Sequence, residues 1–579
     1  MNTDASCGVD FGKLGRYSPR RFVPEGADLT RAETVAELYR TLLDQPIGSQ
    51  EQFDNWMLDL SELSAALEQV GSILYVRMTC QTDDKERAEA YRHFMETVVP
   101  AVRPLEDKVT RKYLEQRERF AAEPKRYEVL DRNSRADVQV FRDQNVPLQT
   151  QVELLSQEFQ TVAGAMTAEF EGQERTLQQI GKFLYETDRG LRERAWRTIT
   201  DRRLRDRDKL EDLFDKMLAL RHQIATNAGF ANYRDYKFVA GHRFDYTPED
   251  CKRYHETVAR LVVPAYRRLL EGRRNQMALD PLRPWDTSVD PKGRPPLAPF
   301  EKSEELVAGA RRIFDRVDPH LGGQFRMMAD LGLLDLESRK GKAPGGYQTT
   351  LDEARKPFIF MNAVGVHRDV ETLLHEGGHS FHSLAAADEP LQSYRHAPLE
   401  FSEVASMGME LLAQPFLDAF YDEEGRKRVL FEQFEGIVYI LPWVATVDAF
   451  QHWIYENPTH SRQERADKWV EVFDRFMGGV VDWTGLDEVK RYYWHRQLHI
   501  FEYPFYYIEY GIAQLGALQL WVRARQDRQA ALADYRKALA LGGSRPLPEL
   551  FAAAGLNFDF SEQTIGPLVK EVEAELARL

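Results

Sequence analysis

Apolar residues recur every three or four positions along most of the chain, a spacing that predicts α-helices. Residues 85–220 are predicted to form several long helices rich in Glu, Arg, Leu and Ala. One apolar stripe, over residues 210–224, ends close to Gly229, a residue type that commonly stops a helix. Another covers residues 254–265 and precedes a Pro-rich loop at 280–299. The pattern therefore predicts a mainly α protein.

Alternation with a period of two, which is typical of strands, is confined to short segments. Residues 167–177 alternate around Gly172 and predict a small hairpin. Residues 347–350 and 357–362 predict strands just ahead of a helical segment that begins before residue 375. We therefore expect one small β-sheet beside that helix.

The length of 579 residues exceeds what one hydrophobic core usually supports. A content of 43% hydrophobic and 11% aromatic residues indicates a large packed interior. We therefore predict two lobes, an N-terminal helical lobe over residues 1–190 and a second lobe over residues 191–579 that carries the candidate chemistry described below.

Charge and cysteine usage narrow the class of protein. The net charge is −15 with acidic and basic residues interspersed, which argues against a nucleic-acid partner. No apolar run is long enough to cross a membrane, and residues 1–22 show no apolar leader, so we expect a cytoplasmic protein. The three cysteines, Cys7, Cys80 and Cys251, are far apart and predict neither a disulfide framework nor a cysteine-type zinc site.

The segment His375-Glu376-Gly377-Gly378-His379 is the strongest chemical signal. On a helix, residues i and i+4 share one face, so both imidazoles can bind one zinc ion. Glu376 then lies within reach of a water molecule on that ion and is a candidate general base. With 14 histidines in the chain, a chance match has a probability of about a few per cent, so the surroundings must support the interpretation.

A catalytic zinc ion normally has three protein ligands and one open position. His382, three residues after His379, does not fit the longer three-histidine motif, and we expect it in the core or behind a ligand. Residues 398–412 predict a helix that carries three glutamates on one face, and spacing alone leaves open which of them binds the metal: Glu400, Glu403 and Glu410.

Residues 375–382 and 401–406 together resemble the thimet oligopeptidase and oligoendopeptidase F family of zinc peptidases, and oligoendopeptidase F most of all. Residues 356–362 and 499–510 are similar to further segments of that family. The resemblance implies that Glu403 is the third ligand and that Glu410 orients a ligand histidine. Gly377 departs from the family, which more often has Phe or Leu there, and two adjacent glycines predict that another backbone or a substrate packs closely against this helix.

The resemblance also implies a fold and an activity. The fold is a large helical two-lobed shell around a deep substrate channel, and the activity is that of a zinc-dependent endopeptidase that hydrolyses internal bonds of short oligopeptides. One Zn²⁺ per chain is expected, with Glu376 as the general base. The implied donors to the oxygen of the tetrahedral intermediate are His499, Tyr506 and Tyr510.

Other interpretations remain open from the sequence. A zinc exopeptidase needs a cation for the free carboxylate of its substrate, and Arg491 and Arg496 are candidates. A metal-free helical scaffold would leave the three glutamates without a reason to cluster. The strand at 358–362 is expected to bind peptide backbone by β-augmentation, with residues 345–347 as a flexible lip or a plain turn. The remaining buried histidines are expected to be core residues: His222, His255 and His452.

Overall fold

A computed structural model describes residues 9–579, and helices account for most of them. The mainly α fold class predicted from the apolar spacing is confirmed. In chain order the α-helices are α1 (Ala32–Asp44), α2 (Gln50–Cys80), α3 (Lys85–His93), α4 (Val99–Arg119), α5 (Pro124–Val140), α6 (Val146–Gly164), α7 (Leu177–Gly181), α8 (Arg189–Arg205), α9 (Arg207–Asn227), α10 (Tyr233–Ala240), α11 (Pro248–Thr257), α12 (Val263–Gln276), α13 (Ser303–Val317), α14 (Pro319–Asp330), α15 (His367–Ala385), α16 (Gln392–Arg395), α17 (Leu399–Ala413), α18 (Glu423–Glu456), α19 (Arg462–Phe476), α20 (Asp487–Arg491), α21 (Leu498–Glu502), α22 (Tyr507–Gln526), α23 (Arg528–Leu539), α24 (Leu547–Ala553) and α25 (Glu562–Arg578).

The predicted helix boundaries hold where the turn chemistry is clear. The stripe at 210–224 lies in α9, and Gly229 follows it with a φ of +87°. The stripe at 254–265 is not one α-helix, because a π-helical turn, Val258–Val262, separates α11 from α12. Pro264 has no N–H to donate to the preceding turn, which explains why the regular α-helical ladder is interrupted there.

The strands form two small sheets. β1 (Thr167–Phe170) and β2 (Gln173–Thr176) make the predicted hairpin, with φ values of +50° at Glu171 and +73° at Gly172, as a type I′ turn requires. The second sheet has the order β3-β5-β4 and contains β3 (Leu334–Glu337), β4 (Tyr347–Leu351) and β5 (Lys356–Ala363). β4 and β5 were predicted, whereas β3, which is parallel to β5, was not.

Two compact units make up the described chain, and their segments alternate along the sequence. Unit 1 takes the described part of Met1–Gln139 together with Leu297–Val429 and Ala513–Phe558. Unit 2 takes Val140–Pro296, Leu430–Ile512 and Asp559–Leu579. Residue 190, the boundary expected from the sequence, lies inside unit 2. Each unit is assembled from segments that are far apart in the sequence.

The small sheet of unit 1 supports the helix that carries the candidate chemistry. β5 is its central strand, and Phe358, Ile359 and Phe360 are completely buried. The chain leaves β5 at Ala363 and enters α15 at His367, and α15 packs back on β5. The predicted position of a small sheet beside this helix is confirmed. No helix in residues 9–579 is long and apolar enough to cross a membrane.

A single carboxylate fixes the turn between β5 and α15. Oδ2 of Asp369 accepts hydrogen bonds from the N–H groups of Val364 (2.8 Å), Gly365 (2.9 Å) and Val366 (3.0 Å). Gly365 has a φ of +92°, a conformation that favours glycine. The start of α15 therefore depends on a side chain in its own first turn.

Replacing Asp369 with Ala should destabilise this connection. Three backbone donors would lose their acceptor, and we expect the free energy of unfolding to fall by about 2–3 kcal/mol, as is usual for buried unsatisfied groups. Asp369→Asn keeps one carbonyl oxygen that can accept the same bonds and should lose less than half as much. Chemical denaturation of the three proteins measures the difference, and equal losses in both variants would contradict this account.

Candidate metal centre

α15 and α17 bring together the two histidines and one glutamate. Nε2 of His375 lies 3.4 Å from Oε2 of Glu403, and Nε2 of His379 lies 3.7 Å from the same oxygen. One ligand atom from each of the three residues lies within 4.8 Å of the others. Ligand atoms around one zinc ion are about 3.3–3.6 Å apart, so the arrangement needs only small side-chain shifts to hold one.

Gly378 explains why α17 can approach so closely. A Cβ atom at this position would lie 2.6 Å from the carbonyl oxygen of Ala405 and 2.6 Å from Cα of Ser406, both in the backbone of α17. A Cβ at Gly377 would lie 2.6 Å from Cζ of Phe314, a residue of α13. The close backbone packing predicted for the glycine pair is confirmed at Gly378, whereas at Gly377 an aromatic side chain takes the space.

Glu410, two turns after Glu403 on the same face of α17, contacts the ring of His375. Nδ1 of His375 lies 2.7 Å from Oε1 of Glu410, which leaves Nε2 to face Glu403. Burial disfavours a charged ring, but the two carboxylates raise the pKa of His375 well above its usual value. The pair of carboxylates thus favours a positive charge at this position, which a proton or a metal ion can supply.

The other two donors of the group are suited to a divalent metal. Burial alone would raise the pKa of Glu403, but the hydrogen bond from His375 and the histidine charges lower it to about 2. Oγ of Ser406 lies 3.0 Å from Oε2 of Glu403 and donates to it. Burial lowers the pKa of His379 to about 4, so its ring is neutral and its lone pair is available. Imidazole nitrogens and a carboxylate are the donors of a His₂Glu zinc site, and the residues present fit that ion.

Glu376 lies beside this group and is joined to the sheet. It is 7% exposed, and burial is the main reason that its pKa rises to about 7. The backbone of Gln348 in β4 acts in the opposite direction and lowers this pKa. A carboxylate with a pKa close to neutral can take up and release a proton at physiological pH.

β5 is the central strand of its sheet, and β4 forms one of the two outer edges. β5 pairs with β3 on one side and β4 on the other, so the prediction that residues 358–362 bind peptide by β-augmentation is wrong. Ile359 lies opposite Gln348 and donates its N–H to Leu333 at 2.9 Å, away from β4. The backbone groups of Gln348 therefore face the outer edge of β4, where no other strand of residues 9–579 pairs.

The turn before β4 is held by a side chain. Nδ2 of Asn362 donates to the carbonyl oxygens of Ala343 (2.7 Å) and Gly345 (2.9 Å), and Gly345 has a φ of +98°. Of the two expectations for residues 345–347, the structure shows a turn tied to β5.

Two further candidates lie outside the group of metal-ligating atoms. His382 is 5% exposed, and its ring packs edge-on against Phe401 with centroids 5.9 Å apart. Burial lowers its pKa to about 3, so the ring is neutral. Glu400 is 5% exposed and likewise lies outside the group formed by His375, His379 and Glu403.

The predicted donors to the oxyanion form a separate cluster within unit 2. The ring centroid of His499 lies 5.5 Å from that of Tyr506 and 6.0 Å from that of Tyr510. Tyr506 directly precedes α22 and Tyr510 lies in its first turn. Burial lowers the pKa of His499 to about 4, and the side-chain amide of Gln497 lies 2.7 Å from its Nδ1. If that amide donates, the neutral ring carries its proton on Nε2 and can itself donate from there.

The two arginines considered for an exopeptidase already have partners within unit 2. Arg491 lies 2.7 Å from a carboxylate oxygen of Asp467. Arg496 donates to the hydroxyl of Tyr493 and lies over the ring of Trp443, 5.7 Å from its centroid. Neither contact requires a substrate carboxylate.

Sequence reasoning missed three residues that shape this centre. Asp369 carried a readable signal, because an acidic residue in the first turn is typical of a helix start. Phe314 and Gln348 carried none, since each acts through a contact between elements distant in sequence.

Gly378→Ala tests the close approach of the two helices. The added methyl group would collide with backbone atoms that have no rotamer to adopt, so we expect a loss of about 1–3 kcal/mol in unfolding free energy. Glu403 moves with α17, and metal content after purification should fall as well. Gly323→Ala in α14, where the nearest atom lies 3.6 Å from the new Cβ, is the matched control and should gain up to about 1 kcal/mol. Wild-type stability and metal content in Gly378→Ala would contradict the packing argument.

The chain is similar to known peptidases in sequence and in structure. Residues 182–566 match the family described as Peptidase family M3, and residues 28–141 match the Peptidase M3 N-terminal domain. Oligopeptidase PepF of Bacillus subtilis is 26% identical over 254 residues, which cover 42% of this chain and 37% of that protein. An oligoendopeptidase F homolog of Borreliella burgdorferi is 24% identical over 242 residues, or 40% of each chain. The matched regions thus cover well under half of the length of these curated relatives.

Solved structures give a broader likeness. PZ peptidase A with inhibitor 2 superposes with a TM-score of 0.88 at 28% identity, covering 96% of this chain and 99% of the other. Oligoendopeptidase-F from Enterococcus faecium superposes with a TM-score of 0.63 at 16% identity, covering 95% and 96% of the two chains, a likeness that concerns the fold alone.

Proposed function

The chain belongs to peptidase family M3, and from that premise we propose that it is a zinc-dependent endopeptidase that hydrolyses internal peptide bonds of short oligopeptides. The observation that carries the proposal is the convergence of His375, His379 and Glu403 within 4.8 Å, with Glu376 between the two histidines in sequence. That set provides three metal ligands and a base on two helices of one unit.

A zinc ion, when bound, supplies a Lewis acid that lowers the pKa of a water molecule and polarises the substrate carbonyl. The chain provides the remaining chemistry. Glu376 takes up a proton at its carboxylate and later releases it to the leaving amine, a transfer that suits a group with a pKa of about 7. Glu410 keeps the ring of His375 in its orientation through Nδ1.

The edge of β4 supplies a place for the substrate backbone. An extended peptide that pairs with an open strand edge gains main-chain hydrogen bonds whatever its side chains, which suits an enzyme acting on varied oligopeptides. The backbone of Gln348 on this edge already acts on Glu376. A peptide lying along β4 would therefore pass directly beside the proposed base.

His499, Tyr506 and Tyr510 remain candidate oxyanion donors on the strength of the family resemblance. Their clustering within unit 2 and the neutral state of His499 are compatible with donation of hydrogen bonds. A cytoplasmic location, and the absence of nucleic-acid and membrane partners, also stay predictions from composition.

Hydrolysis of an internally quenched peptide of about ten residues, blocked at both termini, tests the endopeptidase proposal. The wild type should cleave it, and Glu376→Gln should lose about 10²–10⁴-fold in kcat/KM because the general base is removed. Zinc content is measured in both proteins, and removal of the metal by a chelator should abolish activity, with recovery on adding Zn²⁺.

Glu371→Gln is the control for that experiment, since Glu371 lies on the same helix and pairs with His367 and Arg368 instead. It should retain activity within a few-fold of the wild type. Cleavage only of peptides with a free C-terminus would favour the exopeptidase alternative. Purified protein that holds no metal at His375 and His379 would overturn the proposal.

Glu410 provides a test of metal binding separate from catalysis. Glu410→Ala removes the partner of His375 Nδ1, and we expect zinc affinity to fall by about 10–100-fold, as is usual for outer partners of metal ligands. Glu410→Gln retains an oxygen acceptor and should recover part of the loss. Competition with a fluorescent chelator measures the affinities, and unchanged affinity in Glu410→Ala would show that the contact does not support the ligand.

A further inference from the structure

A second group of metal-ligating side chains lies inside unit 2. Cys251 and His255 are i and i+4 on α11, and Asp448 and His452 are i and i+4 on α18. The two pairs face each other, since ligand atoms of Cys251, Asp448 and His452 lie within 4.8 Å of one another. This is the same helical spacing that places the two histidines of α15 on one face.

The carboxylate of Asp448 is the centre of the group. Its Oδ2 lies 2.7 Å from Nε2 of His255 and 3.3 Å from Nε2 of His452. Asp448 is 0% exposed, and its Oδ1 makes no hydrogen bond. Both ring nitrogens of His452 likewise lack a hydrogen-bond partner. Oδ1 of Asp448 and the ring nitrogens of His452 are thus buried polar atoms without partners, which indicates that something binds among them.

The surroundings offer little else to satisfy these atoms. The ring of His452 packs edge-on against Phe238 and Phe505, and that of His255 against Phe476. Cys251 is 0% exposed and His452 is 2% exposed. The guanidinium of Arg243, whose charge acts on Cys251, forms an ion pair with Glu509.

We propose that Cys251 Sγ, an oxygen of Asp448 and a ring nitrogen of His452 bind one zinc ion, with His255 as a positioning residue that holds the Asp448 carboxylate. A thiolate, a carboxylate and a neutral imidazole match the ligand types of zinc. Binding releases the thiol proton, and the two anionic ligands then balance the charge of the dication. No net charge is left in an interior that excludes water.

Such a site would be structural rather than catalytic. All three ligands are buried, so substrate has no access to the ion, and the second carboxylate oxygen of Asp448 would fill the position that catalytic zinc keeps open. The ion would join α11 to α18 across about two hundred residues of sequence. Next to His452, the side chain of Gln451 accepts the N–H of Phe505 at 3.2 Å, and Phe505 has a φ of +65°. The site would thus also steady the strained turn that leads into Tyr506.

Cobalt substitution separates this site from the one on α15. A Co²⁺ ion bound by a thiolate gives a ligand-to-metal charge-transfer band in the near ultraviolet, and a His₂Glu site cannot. Protein produced in medium in which Co²⁺ replaces Zn²⁺ should show this band and hold two equivalents of metal per chain. His375→Ala should hold one equivalent and keep the band, and Cys251→Ser should hold one equivalent and lose it.

Cys80→Ser is the matched control, since Cys80 is also buried but contacts Asp335 in unit 1. The charge-transfer band of this variant should be unchanged. The alternative, a protonated histidine that neutralises Asp448, predicts no band and no metal in His375→Ala. That result overturns the proposal, as does a band that survives Cys251→Ser. The wild type and His375→Ala already decide whether a second metal site exists, so the test still holds if Cys251→Ser fails to fold. None of these measurements depends on peptidase activity.

Discussion

The approach of α17 to α15 at Gly378 is the constraint on which the candidate centre depends. A side chain at that position would occupy the backbone of Ala405 and Ser406, so only glycine lets the two helices pack at this distance. Once they do, Glu403 meets both histidines and Glu410 meets the far side of His375. The absence of a side chain at Gly378 thereby determines which carboxylates of α17 can reach His375 and His379.

A buried carboxylate is common to the two groups of candidate ligands. The exposure of the side chains around that carboxylate distinguishes the groups. Glu403 and Asp448 are each lowered in pKa by neighbouring histidines despite burial, so each remains an anion that needs a cation nearby. The side chains of His375 and His379 are 24% and 18% exposed, which leaves the first group accessible. Those of His452 and Asp448 are 3% and 0% exposed, which suits a closed site.

Local patterns were sufficient to predict the mainly helical fold, several of the helices, the hairpin at Gly172, strands β4 and β5, and the helix that carries His375 and His379, because each depends on residues close in sequence. The choice of Glu403 as the proposed third ligand needed the family resemblance, since the sequence spacing puts Glu400, Glu403 and Glu410 on one face and does not decide among them. Contacts between distant segments were not predictable. β3, the interleaved units and the contact of Phe314 with Gly377 belong to this class, as does the meeting of Cys251 with Asp448.

The correction about the sheet changes how the substrate is expected to lie. With β5 enclosed between β3 and β4, an extended peptide could pair only with an outer edge of the sheet, at β3 or at β4. On the edge of β4, the backbone of Gln348 acts on the carboxylate of Glu376. Thr350, two residues along, presents its backbone groups on the same edge. A peptide paired at Thr350 would continue past Gln348, so its next peptide bond would lie beside the carboxylate of Glu376. The register of the sheet would therefore place a backbone amide, rather than a side chain, next to Glu376.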